Sequence, residues 1–479
     1  MSALKLDRIV DTTLREGEQT PTVYFRPEEK CRIAELLHEA LGRKGFIEAG
    51  QPYSPKYREG VEAVIKHFNA LGKKDPRLLL HCRTLKEDVE IAAACGGWGV
   101  VVVLAPTEKH LLHKLNGLRY GEALERISAV VSFAKDSGAF RSVQYTLEDA
   151  TSLPLQNLIE VSKVAEEAGA DILRIPDTKG QADFNFFKNL ISTLKENTRV
   201  PIDVHCHNDR GLAIANAIGG LQGGATGVHA SVLGLGERNG IPDIASLMEN
   251  LETLYGVDTG VEFRKLPELY SYVSAVSGVQ VAPNAPIMGV FSRTHKAGEH
   301  QKSVLRCPET YETFEWSKFG LAREFEFGAM QSKELVDHLL GGAKLQPETK
   351  ARVVQRIRDV SMAKGRPLRA REVWSLIEAE TGITPRQTGS GDNHGLDAVI
   401  FLRVKPSCDE LDLIKSLRQM FLEASIPVRI RDISGAWDFI IDAKGIRDSE
   451  LLDRITGDIR RARKDIVDTS TCIVFDEYK

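Results

Sequence analysis

The sequence has no apolar run near the roughly 18 residues that a membrane-spanning helix needs, and it has no marked excess of either charge. Its 63 basic and 67 acidic residues leave a net charge of −4, so no bulk field draws it to nucleic acid or to an anionic membrane. Cysteine is sparse. Cys31, Cys82, Cys95, Cys206, Cys307, Cys408 and Cys472 are spread over 479 positions with no Cys-x-x-Cys pair, an odd count that suits a reducing cytoplasm. Met1 to Val10 holds Lys5, Asp7 and Arg8 where a secretory leader would be apolar, and a cytoplasmic protein is expected. No Gly-x-Gly-x-x-Gly turn follows the first strand-like run, which argues against a doubly wound open sheet. At 42% hydrophobic and 27% charged, the chain is long enough for two or three domains and a large core.

What is present is an alternation. Up to about residue 262, strand-like runs at 8–12, 45–49, 77–80, 99–104, 142–146, 171–175, 201–205 and 227–232 are separated by amphipathic segments such as 27–41 and 154–168. Right-handed β-α-β repeats in that number close most easily into a (β/α)8 TIM barrel, so an α/β catalytic barrel is expected over residues 1–262. Residues 263–383 are expected to form a linker and helical subdomain, with helices over 347–364 and 369–380. Residues 384–395, with Pro, Ser, Asn and three Gly, read as a second linker. Beyond it come a strand (398–404), a helix (409–423), two strands (428–433 and 437–442), a helix (448–461) and a last strand (469–475). That order predicts a ferredoxin-like α+β domain over 396–479.

Polar residues collect at the ends of the barrel strands, where a parallel barrel opens its site. Asp11-Thr12-Thr13-Leu14-Arg15-Glu16-Gly17-Glu18-Gln19-Thr20 follows the first run. Buried there, such groups would cost about 1 to 3 kcal/mol each if left unpaired. The second run ends at Glu48, the third at His81, and the fifth carries Gln144, Thr146, Glu148 and Asp149. The sixth ends in Asp177-Thr178, and the seventh in His205-Cys206-His207-Asn208-Asp209. Strand residues two apart share a face, so His205 and His207 can point at one ion while Cys206 points away. Taken alone, the pair reads equally well as surface or satisfied core histidines.

The opening stretch resembles the first motif of the metal-dependent Claisen-condensing enzymes, the family of homocitrate synthase and isopropylmalate synthase, with hydroxymethylglutaryl-CoA lyase more distant. Thr146-Leu147-Glu148-Asp149 is similar to that family's Ser-x-Glu-Asp motif, Pro176-Asp177-Thr178-Lys179-Gly180 to its Ala-Asp-Thr-x-Gly, and Gly234-Leu235-Gly236-Glu237-Arg238-Asn239-Gly240 to its Gly-x-Gly-Glu-Arg-x-Gly loop. The resemblance implies an acyltransferase that condenses acetyl-CoA with a 2-oxo acid and hydrolyses the thioester. It implies a divalent metal (Mg, Mn or Zn) on Glu16, His205 and His207, a two-histidine, one-carboxylate set. Arg15 would polarise the ketone, with Gln19, Glu48, His81, Gln144, Thr146 and Thr178 around the substrate. Two positions depart from the family: Gln144 and Ser152 stand where relatives carry an Arg that grips a distal carboxylate. The oxo acid therefore stays open between 2-oxoglutarate and the acids of isopropylmalate-, citramalate- or Re-citrate-type synthases. A metal-dependent carbon-carbon lyase is a rival, although the catalytic Cys of the lyase loop is absent near Gly234. A non-catalytic metabolite sensor is another.

Thr294-His295-Lys296-Ala297-Gly298-Glu299-His300, followed by Pro308-Glu309-Thr310-Tyr311, is also similar to homocitrate synthases. In that family the segment completes a neighbour's site, so a homodimer or larger assembly is implied, with His300 and Tyr311 as the proton-transfer pair assisted by Glu148. Gly435-Ala436-Trp437-Asp438-Phe439 and the closing Thr469-Ser470-Thr471-Cys472-Ile473-Val474 resemble the amino-acid-sensing domain of Lrp/AsnC regulators. No helix-turn-helix precedes it, so neither DNA nor a membrane is an expected partner; an amino-acid effector, or plain dimerisation, is. If the domain senses an end product, titrating the twenty amino acids should change the apparent affinity for the oxo acid roughly 5- to 150-fold. Lysine and leucine are the first candidates. A chain truncated after about residue 384 should lose the response, and an equal response in both forms would leave the domain as an assembly element.

Overall fold

The computed structural model describes residues 4–72, 76–340, 345–383, 396–405, 407–424, 426–432, 437–446, 449–462 and 464–474. The chain divides into two compact units, Met1–Gln280 and Val281–Lys479. In the first, eight parallel strands close into a barrel: β1 (Arg8–Asp11), β2 (Gly45–Gly50), β3 (Leu78–Arg83), β4 (Gly99–Leu104), β5 (Ser142–Leu147), β6 (Ile172–Asp177), β7 (Ile202–Cys206) and β8 (Gly227–Ala230). Each strand pairs with the next, and β8 pairs back to β1. The expected TIM barrel is therefore the observed one. Strands such as Gly-Val-Val-Val-Val-Leu in β4 are apolar throughout because the barrel lining and the surrounding helices bury both of their faces.

The helices follow from their stripes and ends. Helix Pro27–Leu41 starts on a proline, whose fixed φ and missing N–H suit the first turn, while Glu29 accepts the backbone N–H of Arg26 at 2.8 Å. Its inner face carries Ile33, Ala34, Leu37, Ala40 and Leu41, all fully buried. Helix Leu266–Ser277 packs on it. This helix falls within the first unit, although the sequence reading drew its boundary at residue 262.

One irregularity lies beside a candidate site residue, Glu48. The pairing of β2 with β3 shifts register between Glu48 and Gly50, and Gly50 has a φ of 137° that a side chain would rarely adopt. The bulge re-aims the strand at the residue where an acid sits. Helix Pro55–Ala70 packs beside it, and a Cβ on Gly50 would lie 3.0 Å from Val61 of that helix.

In the second unit, the short strands β9 (Thr294–His295) and β10 (Glu324–Phe325) pair in parallel. Helices Glu334–Leu339, Pro347–Lys364 and Ala370–Thr381 share a core of Val336, Val353, Val354, Ile357, Val373 and Ile377. The C-terminal part is an antiparallel sheet of β11 (Leu396–Val404), β12 (Val428–Asp432), β13 (Phe439–Ile446) and β14 (Ile466–Val474) in the order β12-β13-β11-β14. Alternate residues Ala398, Ile400 and Leu402 of β11 and Phe439, Ile441 and Ala443 of β13 face helices Glu410–Glu423 and Ser449–Ala462. The predicted linker, 384–395, lies outside the described residues, as do Gly435 and Ala436 of the Lrp-like pattern. Among the described residues no helix is long and apolar enough to cross a membrane.

An ion pair spans three strands at the barrel's closing seam. Gly227 of β8 is in register with Arg8 on one side and Asp203 on the other. Arg8 reaches past it to Asp203, with Nε 2.9 Å from Oδ1, and the Arg8 guanidinium also donates to Thr226 Oγ1 at 2.6 Å. A Cβ on Gly227 would lie 2.0 Å from Asp203 Oδ1. Gly227→Ala is therefore expected to displace Asp203 and uncouple a buried pair, costing about 3 to 5 kcal/mol. A urea melt checks this, and an unchanged midpoint would mean that the pair adapts.

Candidate active site

The loop after β1 is tied down before it carries any chemistry. Asp11 accepts Thr13 N–H at 2.9 Å and the Thr13 hydroxyl at 2.8 Å, and the Thr13 hydroxyl accepts Val232 N–H at 2.9 Å from beyond β8. Burial raises the Asp11 carboxyl to about 7 in spite of those two hydrogen bonds. Arg15, Glu16 and Gly17 all donate their backbone N–H to Thr12 O, at 3.0, 2.7 and 3.1 Å. A tight turn thus presents Arg15 and Glu16 at the barrel mouth.

Glu16 is buried beneath the loop after β8. It accepts Glu237 N–H at 3.2 Å, and a Cβ on Gly236 would stand 3.2 Å from Glu16 Cγ. This close approach explains a glycine there. Gly240 turns the same loop at φ 75°, where a Cβ would fall 1.8 Å from Gly234 O. Thr20 fastens the loop from the other side, its hydroxyl donating to Gly236 O at 3.1 Å and accepting Gly236 N–H at 2.8 Å.

Glu16, His205 and His207 each offer a ligand atom, and these atoms lie within 4.8 Å of one another. His205 Nε2 is 3.4 Å from His207 Nε2, and His207 Nε2 is 3.9 Å from Glu16 Oε1. Burial, with His207 beside it, pushes His205 down to about 3, and burial also lowers His207, so both rings are neutral and have lone pairs to give. Burial alone would raise Glu16, but Arg15 and the two histidines bring it down to about 2. Two neutral imidazoles and an ionised carboxylate fit a divalent cation. His205 Nδ1 lies 3.2 Å from Nδ1 of His229 on β8, leaving Nε2 for an ion.

A chain of charge runs from the mouth into the barrel. Arg15 binds Glu16 through Nη1 and Glu48 Oε2 through Nε at 2.7 Å. The other oxygen of Glu48 takes Nη1 of Arg174, on β6. Arg174 in turn donates Nε–H to Gln144 Oε1 at 2.7 Å, and Gln144 donates to Ser142 Oγ at 3.2 Å. Burial would raise the Glu48 carboxyl, but Arg15 and Arg174 hold it well below the ordinary carboxylate range. His81, also buried, is pushed down to about 3 by burial and by Arg15.

The remaining predicted residues are distributed as follows. Thr146 is half-buried and its hydroxyl has no partner among the described residues. Thr178 Oγ1 accepts Asp149 N–H at 2.8 Å, while Asp177 caps its own loop through Thr151, Gln181 and Ala182. Glu148 is half-buried and is held by Lys114 at 2.6 Å. Gln19 is exposed on a short turn. Gln144 is wholly buried, with both ends of its amide engaged inside the protein. His300 and Tyr311 belong to the second unit, where their rings stack at 3.8 Å between centroids; nearby, His295 Nε2 meets Glu312 at 2.9 Å. Arg174, His229 and the Arg8–Asp203 pair were missed by sequence reasoning. Their signal was a charged or imidazole residue inside an otherwise apolar strand.

Residues 7–273 match the family described as HMGL-like, and residues 287–364 match the homocitrate synthase post-HMGL domain. The homocitrate synthase AksA of Methanocaldococcus jannaschii is 39% identical over 355 residues, covering 74% of this chain and 86% of that protein. The homocitrate synthase of Sulfolobus acidocaldarius is 33% identical over 477 residues, 97% of each chain, so this likeness extends through the C-terminal domain. Among solved structures, the HMG-CoA lyase of Bacillus subtilis aligns with a TM-score of 0.54 at 21% identity, over 61% of this chain and 99% of that one. The lyase of Pseudomonas aeruginosa aligns at 0.51 and 22%, over 58% and 95%. These two share the barrel fold.

Glu48 neutralises two guanidiniums at once. Glu48→Gln should leave Arg174 without a buried counter-charge, while Arg15 keeps Glu16, and cost about 3 to 5 kcal/mol, read by chemical denaturation. Metal content should persist, because Glu48 is outside the Glu16, His205 and His207 cluster; loss of metal with stability intact would reverse this assignment.

Proposed function

This chain belongs to the HMGL-like family, and from that premise we propose that it condenses acetyl-CoA with 2-oxoglutarate and releases CoA, as a homocitrate synthase. The observation that carries the proposal is the convergence of Glu16, His205 and His207 beside Arg15. It occurs in a chain that matches a homocitrate synthase along 97% of its length.

In this reading, Glu16, His205 and His207 hold a divalent ion (Mg, Mn or Zn), which supplies Lewis-acid polarisation of the ketone oxygen when bound. Arg15 donates to the same oxygen. Its Nε and Nη1 are fixed by Glu48 and Glu16, so the guanidinium is oriented before substrate arrives and pays little reorganisation as negative charge develops. Thr178, with a hydroxyl proton still to give after accepting Asp149 N–H, donates to the C1 carboxylate, and His81, kept neutral, lies along the oxo acid with Gln19 at the rim. His229 acts through His205, fixing its ring.

We assign the proton transfer to His300 and Tyr311 of a second copy of the chain, with Glu148 in support. The imidazole takes a proton from the acetyl methyl, and the resulting enolate carbon attacks the ketone carbon. A carbon-carbon bond forms while the ketone oxygen gains a proton and becomes the tertiary hydroxyl. Water then cleaves the thioester, giving a carboxylate and the free thiol of CoA. Residues 396–479 we read as a ferredoxin-like regulatory or dimerisation domain, supported by the sheet order β12-β13-β11-β14 with a helix in each crossover.

The test is CoA thiol release on mixing the metal-loaded protein with acetyl-CoA and 2-oxoglutarate. Arg15→Lys keeps the charge and loses the planar fork, so turnover should fall roughly 100-fold or more while bound metal is retained. Near-normal turnover in Arg15→Lys would make Arg15 structural, and no thiol release with any 2-oxo acid would defeat the reading.

A further inference from the structure

Arg174 is among the largest fully buried side chains of the protein. It enters the barrel bore from β6, and its Nη1 and Nε are taken by Glu48 and Gln144. Its Nη2 is buried with no partner among the described residues. A buried guanidinium N–H left unpaired is costly, and burial lowers the guanidinium below its ordinary value. Thr146 of β5, in register with Arg174, also has a buried hydroxyl without a partner. A guanidinium N–H and a hydroxyl, adjacent on neighbouring strands and both unmet, form a polar subsite deeper in the barrel than the metal cluster. By register, Arg174 sits two residues below Pro176, the partner of His205.

Charge adds a second constraint. Arg15 and Arg174 carry two positive charges, and Glu16 and Glu48 cancel them. Glu48 is thus shared between two guanidiniums, and Arg8 and Asp203 cancel each other. The Nη2 edge of Arg174 has no further acceptor among the described residues, so a carboxylate brought by the ligand would supply one. Neither Gln144 nor Ser152 supplies a cation for a second carboxylate.

Resting on the function proposed above, we propose that Arg174, with Thr146 beside it, binds the carboxylate at the far end of a dicarboxylic 2-oxo acid and determines specificity for that class. Gln144 is then a positioning residue, acting through Arg174. The free Nη2 of Arg174 and the Thr146 hydroxyl together offer a carboxylate two donors, and a site built to pair a polar group discriminates strongly against analogues that lack it.

The experiment uses the full-length, metal-loaded protein and measures thiol release with 2-oxoglutarate, oxaloacetate, 2-oxoisovalerate and pyruvate. The wild type should prefer the two dicarboxylic acids. Arg174→Gln should lower kcat/KM for dicarboxylic acids about 100-fold more than for monocarboxylic ones, chiefly through KM. The double change Gln144→Arg with Arg174→Gln returns the guanidinium to the neighbouring strand and should restore the preference. Should both variants fail to fold, inhibition of the wild type decides: glutarate should compete at concentrations at least about 10-fold below butyrate. Equal losses for all four acids in Arg174→Gln, or equal inhibition by glutarate and butyrate, overturns the assignment. A wild type that turns over only monocarboxylic acids overturns it too, while leaving the condensing function intact. No thiol from any acid would instead remove the reading on which it rests.

Discussion

The structure depends on one carboxylate shared by two guanidiniums inside a closed barrel. Glu48 projects from β2 and Arg174 from β6, strands on opposite sides of an eight-strand ring, so their contact crosses the bore. Most barrels fill that space with branched apolar side chains. Here the layer is charged, and an ion pair in such surroundings gains stability as more of its remaining hydrogen-bonding atoms are met. Gln144 meets one on Arg174 and Arg15 meets the second oxygen of Glu48. The arrangement fixes Arg15 from behind, and Arg15 fixes Glu16. A change at Glu48 therefore reaches Glu16 through Arg15, which makes the deep layer a foundation for the mouth.

That foundation accounts for features that would otherwise be separate. The register shift at Glu48 and Gly50 aims the acid into the bore. The glycines of the loop after β8 let its backbone lie against Glu16, so the loop acts as the roof of the carboxylate. Across the barrel's seam, Gly227 leaves room for Arg8 to reach Asp203. In the last two cases a missing side chain makes space for a charged one.

Much of this was legible in the sequence, and the division is physical. All eight barrel strands could be read because parallel strands buried on both faces are short continuous apolar runs, and the helices between them keep a 3.6-residue stripe. The helix expected at 347–364 is the one found. Strand ends were less clear: β13 runs to Ile446, not 442, because its pairing with β11 carries it on to the Leu396 level. At the mouth, sequence spacing drew attention to His205 and His207, which share a strand face, and the family resemblance added Glu16. Arg174 was missed although it is a charged residue in an apolar strand. Its importance comes from Glu48, 126 residues away, and no local pattern records a contact across a barrel.

The same burial that makes the layer costly also prepares the chemistry. A histidine near its ordinary value would be partly protonated in mildly acidic surroundings and would have to release a proton before binding a cation. His205 is held near 3 by burial, so that proton is already gone, and Glu16 is ionised because Arg15 stands against it. One desolvated environment thus pushes an imidazole and a carboxylate into their ligating forms, by opposite balances of burial and charge. Burial dominates for the imidazole, whose neighbours Arg15 and His207 oppose its charge. Charge dominates for the carboxylate, whose neighbour is the guanidinium. The contact of Arg15 with Glu16, with His207 Nε2 3.9 Å from the same carboxylate, is what produces the two outcomes from one environment.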